Sequence, residues 1–282
     1  FDEPFSGVLS TYFLSQEIRR HVKVALSGDG ADELFGSYLS HRLAEPLARS
    51  REGGNYQHCF SAQDRAHSDF ERFQSLRKID SEIGARMSMY ISHDSEVMTL
   101  YRSSMKDAVG DTKTQDLITS NYPESLRRDP INRELFLDQH TLLPDQVLVF
   151  VDRLAMANSV EVRPPFLSSE LIRFANSLPG SLKIKRGRSK HILKQAVGDL
   201  LPQQLVDRPK EGFLMPMNAW IRDSLHSFFD SILSESELRK HGILCPKRVR
   251  ELLMEHTIGR QNHGNRLWNL LLFQMWWNQY QS

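Results

Sequence analysis

The stretch VKVALSGDGADELFGSY, residues 22–38, sets three carboxylates, Asp29, Asp32 and Glu33, just beyond a short apolar run and a glycine turn. Strand, tight turn and helix in that order present backbone N–H groups and a helix dipole to phosphate at the carboxyl edge of a sheet. Bare carboxylates would repel that phosphate. Capping accounts for part of the cluster: Asp29 reads as an N-cap and Asp32 as the second half of a capping box, each worth about 1 kcal/mol or less. A cap needs one acid, whereas magnesium takes one or two carboxylates with phosphate oxygens and keeps water in the rest of its shell. The residues therefore suit either a capped helix or a site where Asp29 and Asp32 hold a magnesium–pyrophosphate. Glu33 projects about 100° away from Asp32 and reads either as support for that site or as surface.

Other residues invite chemistry less directly. Asp152 and Arg153 fall inside the apolar run QVLVFVDRLAMA, and Glu161 and Arg163 follow in VEVRPPF. They read either as a buried ion-pair network, because a buried charge must be paired, or as an acceptor pocket for an amino acid's α-amino and α-carboxylate groups. Lys210 lies in a loop stiffened by Pro209 and freed by Gly212; such a lysine can be aimed at a fixed point, though most face solvent. The run Lys183, Lys185, Arg186, Arg188, Lys190 and Lys194 reads as a solvated turn, or as a cationic rim that concentrates nucleotide. His256 and His263 lack a third ligand, so no metal site is expected between them.

The surrounding chain bounds these readings. Its 282 residues, 40% hydrophobic and 25% charged, suffice for one large domain or two small ones. With 36 Lys and Arg against 35 Asp and Glu, the balance gives no general attraction to nucleic acid or an anionic membrane. Two cysteines without CxxC spacing, Cys59 and Cys245, fit a reducing, cytoplasmic setting. The greasiest segment, LWNLLLFQMWWNQY, is too short and too interrupted to span a bilayer.

VKVAL at 22–26 is the one clear strand, and a helix is predicted over 31–49 that Pro46 kinks or ends. Residues 112–128 read as a polar connector. Two helices broken at Pro144 follow, VRPPFLSS is held extended by its prolines, and a helix is predicted at 169–177. The fold class is α/β and strongly helix-dominated. A parallel strand needs neighbours, which are expected upstream of Phe1, so the chain reads as part of a longer protein.

The segment SGDGADELFGSY resembles the SGxGxDExFxGY motif of the asparagine synthetase family, with Ser37 where glycine is usual. FDEPF at 1–5, VDRLAMANSVEVRPPFLSSELIRFANSLP at 151–179 and KHILKQAVGDLLPQQLVDRPKEGFLMPMNAW at 190–220 are similar to further family segments, in the family's order. Ser168 replaces the family's aspartate at a position that reads as a helix cap, where serine serves as well. The resemblance implies the carboxy-terminal part of a PP-loop (adenine nucleotide alpha hydrolase-like) synthetase domain. Within it, 1–45 would end the nucleotide-binding sheet, 46–130 would be a helical variable segment, and 131–282 a helical part carrying the DR and RPKEGF motifs.

That resemblance further implies an ATP-dependent ligase that forms an acyl-AMP on an aspartate-like acid and then an amide with ammonia from glutamine. ATP would lie against Ser27 and Gly28. Asp29 would serve formation of the acyl-AMP, Asp32 and Asp29 would hold Mg2+, and Lys210 would neutralise charge on the reacting phosphate. The family's SGGxDS loop and glutaminase domain are expected upstream, and a homodimer is compatible with the reading. A related amidotransferase, a β-lactam-type synthetase acting on another acid, and a non-catalytic scaffold are the alternatives.

Overall fold

The computed structural model describes residues 5–60, 68–90, 92–111, 113–126, 128–206, 208 and 215–281. Helix dominates, as the sequence implies, and the described strands form one two-stranded sheet. The chain divides into two compact units. One gathers Phe1–Ser10, Tyr90–Thr114 and Phe213–Ser282; the other gathers Thr11–Met89 and Gln115–Gly212.

In the first unit the helix Pro246–Thr257 starts on a proline at its opening position, where the missing N–H has no intrahelical partner to lose. It buries Val249, Leu252, Leu253 and His256, a three-to-four-residue recurrence that makes one apolar stripe. That stripe joins Ile221, Phe229, Leu233, Leu238 and Leu267 in an aliphatic and aromatic core. No helix among the described residues is long and apolar enough to cross a membrane.

The second unit carries the sheet. Strand β1, Val24–Leu26, pairs in parallel with β2, Glu161–Arg163, with Ala25 opposite Val162. The helices Leu39–Arg51 and Pro130–His140 pack against each other. Ala44, Ile131, Leu135 and Ile184 form one buried cluster, and Leu43, Leu47, Phe73 and Leu76 another.

Several sequence expectations change. The extended reading of VRPPFLSS does not foresee that Glu161–Arg163 pairs as a strand, with Glu161 N–H donating to Lys23 O at 2.8 Å. The helix expected over 31–49 splits into Ala31–Phe35 and Leu39–Arg51. Gly36 forces the split: its φ is +80°, and a Cβ there would sit 2.7 Å from Ile184 Cδ1. Pro46 does not end its helix, which runs on to Arg51, and it is buried in the same helix as Leu43 and Leu47. The expected connector contains the helix Thr114–Asn121, anchored by buried Ile118. The break assigned to Pro144 falls earlier: one helix stops at His140, and Pro144 sits in a π-turn, Leu143–Val147, that opens the helix Leu148–Ala157. Pro165 and Phe166 belong to a 3-10 turn rather than to extended chain, since proline is tolerated where a turn begins. Ser168 does cap the next helix, Ser169–Ser177, its side chain accepting from Leu171 N–H.

Candidate active site at the carboxyl end of strand β1

Backbone pairing continues one residue past β1, where Ser27 N–H donates to Arg163 O at 3.0 Å. The chain then turns through Ser27-Gly28-Asp29-Gly30. Ser27 Oγ donates to Asp29 Oδ2 at 2.7 Å, which fixes that carboxylate within the turn. Gly30 has φ +86°, and a Cβ there would lie 2.2 Å from Leu167 Cδ2, so the position requires glycine on two counts. Gly28 differs: a Cβ there would meet nothing within 4 Å. Its backbone borders open space that a ligand could approach.

The capping box expected from Asp29 and Asp32 is absent. Gly30 is the N-cap and no side chain caps the helix. Asp29 is turned toward Ser27, and the five-residue helix gives at most a weak dipole.

Asp32 is instead held by side chains. Lys190 Nζ lies 2.6 Å from Asp32 Oδ1, and Ser37 Oγ donates to the same oxygen. Lys190 adopts a left-handed backbone, φ +54°, while its N–H bonds Gly36 O at 3.1 Å. A non-glycine residue in that region is sparsely populated and costs about 1 kcal/mol or more, so tertiary contacts must hold it there. The basic run is thus not wholly a solvated turn, because Lys190 pairs with Asp32 and Lys183 is buried.

Glu33 is not on the surface. It is 1% exposed and accepts from Tyr38 Oη at 2.5 Å. Burial pushes its carboxyl above the ordinary value, and the Tyr38 hydrogen bond only partly offsets this. Behind it lies a buried polar chain. The N–H groups of Ser37 and Tyr38 point at His41 Nδ1, at 3.3 and 3.4 Å, which assigns the ring proton to Nε2 facing Asp138 Oδ2 at 2.8 Å. Arg86 binds Asp138 and, at 3.1 Å, Glu134, and Tyr122 Oη donates to Glu134 at 2.5 Å. Burial pushes Asp138 up, but the His41 hydrogen bond and the Arg86 charge outweigh it and hold the carboxyl low. Glu134 goes the other way, raised chiefly by burial.

Asp152 meets Asp29 at a cavity of about 100 Å3, walled by Leu148, Val151, Ala155, Val160, Val162 and Pro164. At roughly 30 Å3 per water, it has room for a few non-hydrogen atoms. Glu161 and Arg163 pair at 2.8 Å on exposed positions of β2, and Arg153 is exposed too. The buried network expected of these four is therefore not formed among the described residues, because β2 turns its charged side chains outward. Lys210 lies outside the described residues. A larger cleft of about 1040 Å3 in the same unit is lined by Arg51, Arg133, Glu82 and Asp129 but by none of the candidate site residues. Size alone is a poor guide here, and the turn after β1 carries the stronger chemical case.

Sequence reasoning placed Lys190 in a basic run but missed its pairing with Asp32 and the supporting role of Ser37. Ser37 had a visible signal, as the residue departing from the usual glycine. Nothing separates Lys190 from its basic neighbours until its ion pair with Asp32 is seen.

The asparagine synthase family model matches residues 1–278. The chain belongs to the asparagine synthase family. A putative glutamine-hydrolysing asparagine synthetase from Mycobacterium tuberculosis H37Rv is 33% identical, across 98% of this chain and 42% of the relative. Glutamine-hydrolysing asparagine synthetase 1 of Bacillus subtilis is 28% identical across 98% of this chain and 44% of its own length. The amidase chry2 of Gibberella zeae is 22% identical across 79% and 36%. This asparagine synthase family chain thus spans less than half the length of these relatives.

Proposed function

We propose that this chain is part of an ATP-dependent, amide-forming synthetase that activates an aspartate-like carboxylate as an acyl-AMP and then passes it to ammonia. ATP loses pyrophosphate as the carboxylate oxygen attacks the α-phosphate; ammonia then displaces AMP to leave the amide. The observation that carries the reading is the turn after β1, which carries Asp29, bound by Ser27, and Asp32, paired with Lys190, beside a glycine open to a ligand.

The donor set suits magnesium, a hard cation that favours carboxylate and phosphate oxygens. Asp32 and Asp29 would hold the ion, which when bound neutralises the leaving pyrophosphate. Ser27 and Gly28 would border the nucleotide, and the ammonium of Lys190 adds positive charge beside Asp32 that a pyrophosphate needs. Lys210 enters through its motif alone, as a cation for charge growing in the transition state. Asp152, across the small cavity from Asp29, is the residue best placed to read the acceptor's amino group. Ammonia released from glutamine by an upstream domain, and a cytoplasmic setting, complete the reading.

Asp32→Asn in the whole protein tests it, because the change removes charge with little change of shape. ATP–pyrophosphate exchange driven by aspartate should fall at least about 100-fold, as expected when a preorganised charge is lost from a transition state. Exchange at the parent rate would overturn the metal assignment.

A further inference from the structure

A second cluster of ligand-type side chains lies in the same unit, and none of its members belongs to the turn after β1. Glu45 projects from the helix Leu39–Arg51, and His58 and Cys59 come from the 3-10 turn Gln57–Cys59. One ligand atom from each of the three lies within 4.8 Å of the others. Cys59 Sγ and His58 Nε2 are 3.8 Å apart. Zinc bonds of about 2.3 Å to sulfur and 2.0–2.1 Å to nitrogen would put those atoms roughly 3.5 Å apart in a tetrahedron. That pair needs to close by only a few tenths of an ångström.

Local structure holds the three in place. Asn55 Oδ1 accepts from Gln57 N–H at 2.9 Å, and Cys59 N–H bonds Tyr56 O at 3.0 Å, which fixes the turn that sets His58 beside Cys59. Arg49, one helical turn beyond Glu45, holds that carboxylate at 2.8 Å. An outer partner of this kind orients a ligating carboxylate without consuming its other oxygen. Cys59 is 6% exposed and His58 is exposed, so the cluster has a buried anchor and an entry side.

We propose that Glu45, His58 and Cys59 form a zinc site with three protein ligands and a fourth position open to water. The ligand chemistry selects the metal. Thiolate and imidazole favour zinc and related borderline ions over magnesium or calcium, so this site and the all-oxygen site at Asp29 and Asp32 take different cations. Bound zinc would pin the Gln57–Cys59 turn to the Leu39–Arg51 helix, at whose start Tyr38 meets Glu33. The inference rests on the ligand geometry and stands whether or not the proposed synthetase activity holds.

The test uses the whole protein, stripped of metal with a chelator and titrated with Co2+ as a spectroscopic stand-in for Zn2+. Expected are a sulfur-to-cobalt charge-transfer band and the visible bands of a tetrahedral ion, both bleached by added Zn2+. His58→Ala lies on the exposed side and leaves the core untouched; it should weaken Co2+ binding by at least about 10-fold. Cys59→Ser should abolish the charge-transfer band, while Cys245→Ser, which removes the other cysteine of this chain, should leave it intact. Absence of the band, or its survival at full strength in His58→Ala, would overturn the proposal.

Discussion

The two units bury different things. The core built around Ile221, Phe229, Leu252 and Leu267 is aliphatic and aromatic. The unit carrying the sheet also has apolar clusters, yet it buries Arg86, Glu134, Asp138 and His41 among its helices, at 7%, 8%, 1% and 0% exposure. Apolar contacts stabilise in proportion to area and tolerate small shifts. Buried charges stabilise little over a well-packed apolar substitute but penalise any arrangement that leaves one unpaired. The difference indicates that one core mainly supplies stability, whereas the other also fixes geometry: its chain runs from Glu134 through Asp138 and His41 to the backbone of Ser37 and Tyr38, the residues that hold Asp32 and Glu33.

The largest expected effect breaks that contrast at its charged end. Arg86→Met leaves Glu134 and Asp138 buried without their cation and should cost about 3–5 kcal/mol of stability at neutral pH. Peptide-resolved hydrogen exchange in the whole protein should locate the loss in the unit carrying the sheet. The penalty should shrink as acid protonates the two stranded carboxylates. Leu252→Ala, in the apolar core, should cost a comparable 2–5 kcal/mol with no such dependence on pH. If the two variants lose stability in parallel across the acid range, the charged core has no distinct role.

The contrast also divides what the sequence made legible from what it did not. The apolar recurrence predicted the helix Ser169–Ser177, because a 3.6-residue stripe is local information. The glycine turn and its carboxylates were equally plain. By contrast, Asp138 reads in INRELFLDQH as an ordinary exposed acid. Its partner His41 is 97 residues away and Arg86 is 52 away, and pairings at that range leave no trace in spacing. The same limit explains Lys190. It explains β2 as well, since three residues pair only because β1 lies beside them.

A smaller effect concerns Lys183, 1% exposed near the charged end of the comparison. Burial pulls its ammonium down from 10.5 to about 8, with Asp129 opposing only in part. A base with a lowered folded value binds fewer protons folded than unfolded, so stability rises with pH between those two values. Below about 8 the full penalty for burying the charge applies. Lys183→Met should therefore stabilise the protein at neutral pH by about 1–3 kcal/mol and remove the rise between pH 8 and 10.5 seen in denaturant midpoints. A loss of stability at neutral pH would mean that the ammonium is better satisfied than its burial implies.

The smallest effect probes a titratable group set deep in the apolar unit. His256 is 0% exposed; it accepts from His263 N–H at Nδ1, at 3.1 Å, and its Nε2 faces Asn218 O at 3.3 Å. These partners suit a neutral ring, and burial holds the imidazole below its usual 6.5, with Arg222 and His263 adding to the shift. The folded state then resists a proton that the unfolded chain takes up, so stability falls as pH drops below 6.5. In the sheet-bearing unit, the low-held Asp138 gives a loss only once pH falls below the ordinary carboxylate value of 3.8. His256 and Asp138 should therefore act in different windows. His256→Gln should flatten the decline below 6.5 by about 1 kcal/mol or less, read by hydrogen exchange in peptides of 246–257, while leaving peptides of 130–140 unchanged. An equal change in both sets of peptides would show that the two cores unfold as one, and that their difference in composition has no consequence for how the protein opens.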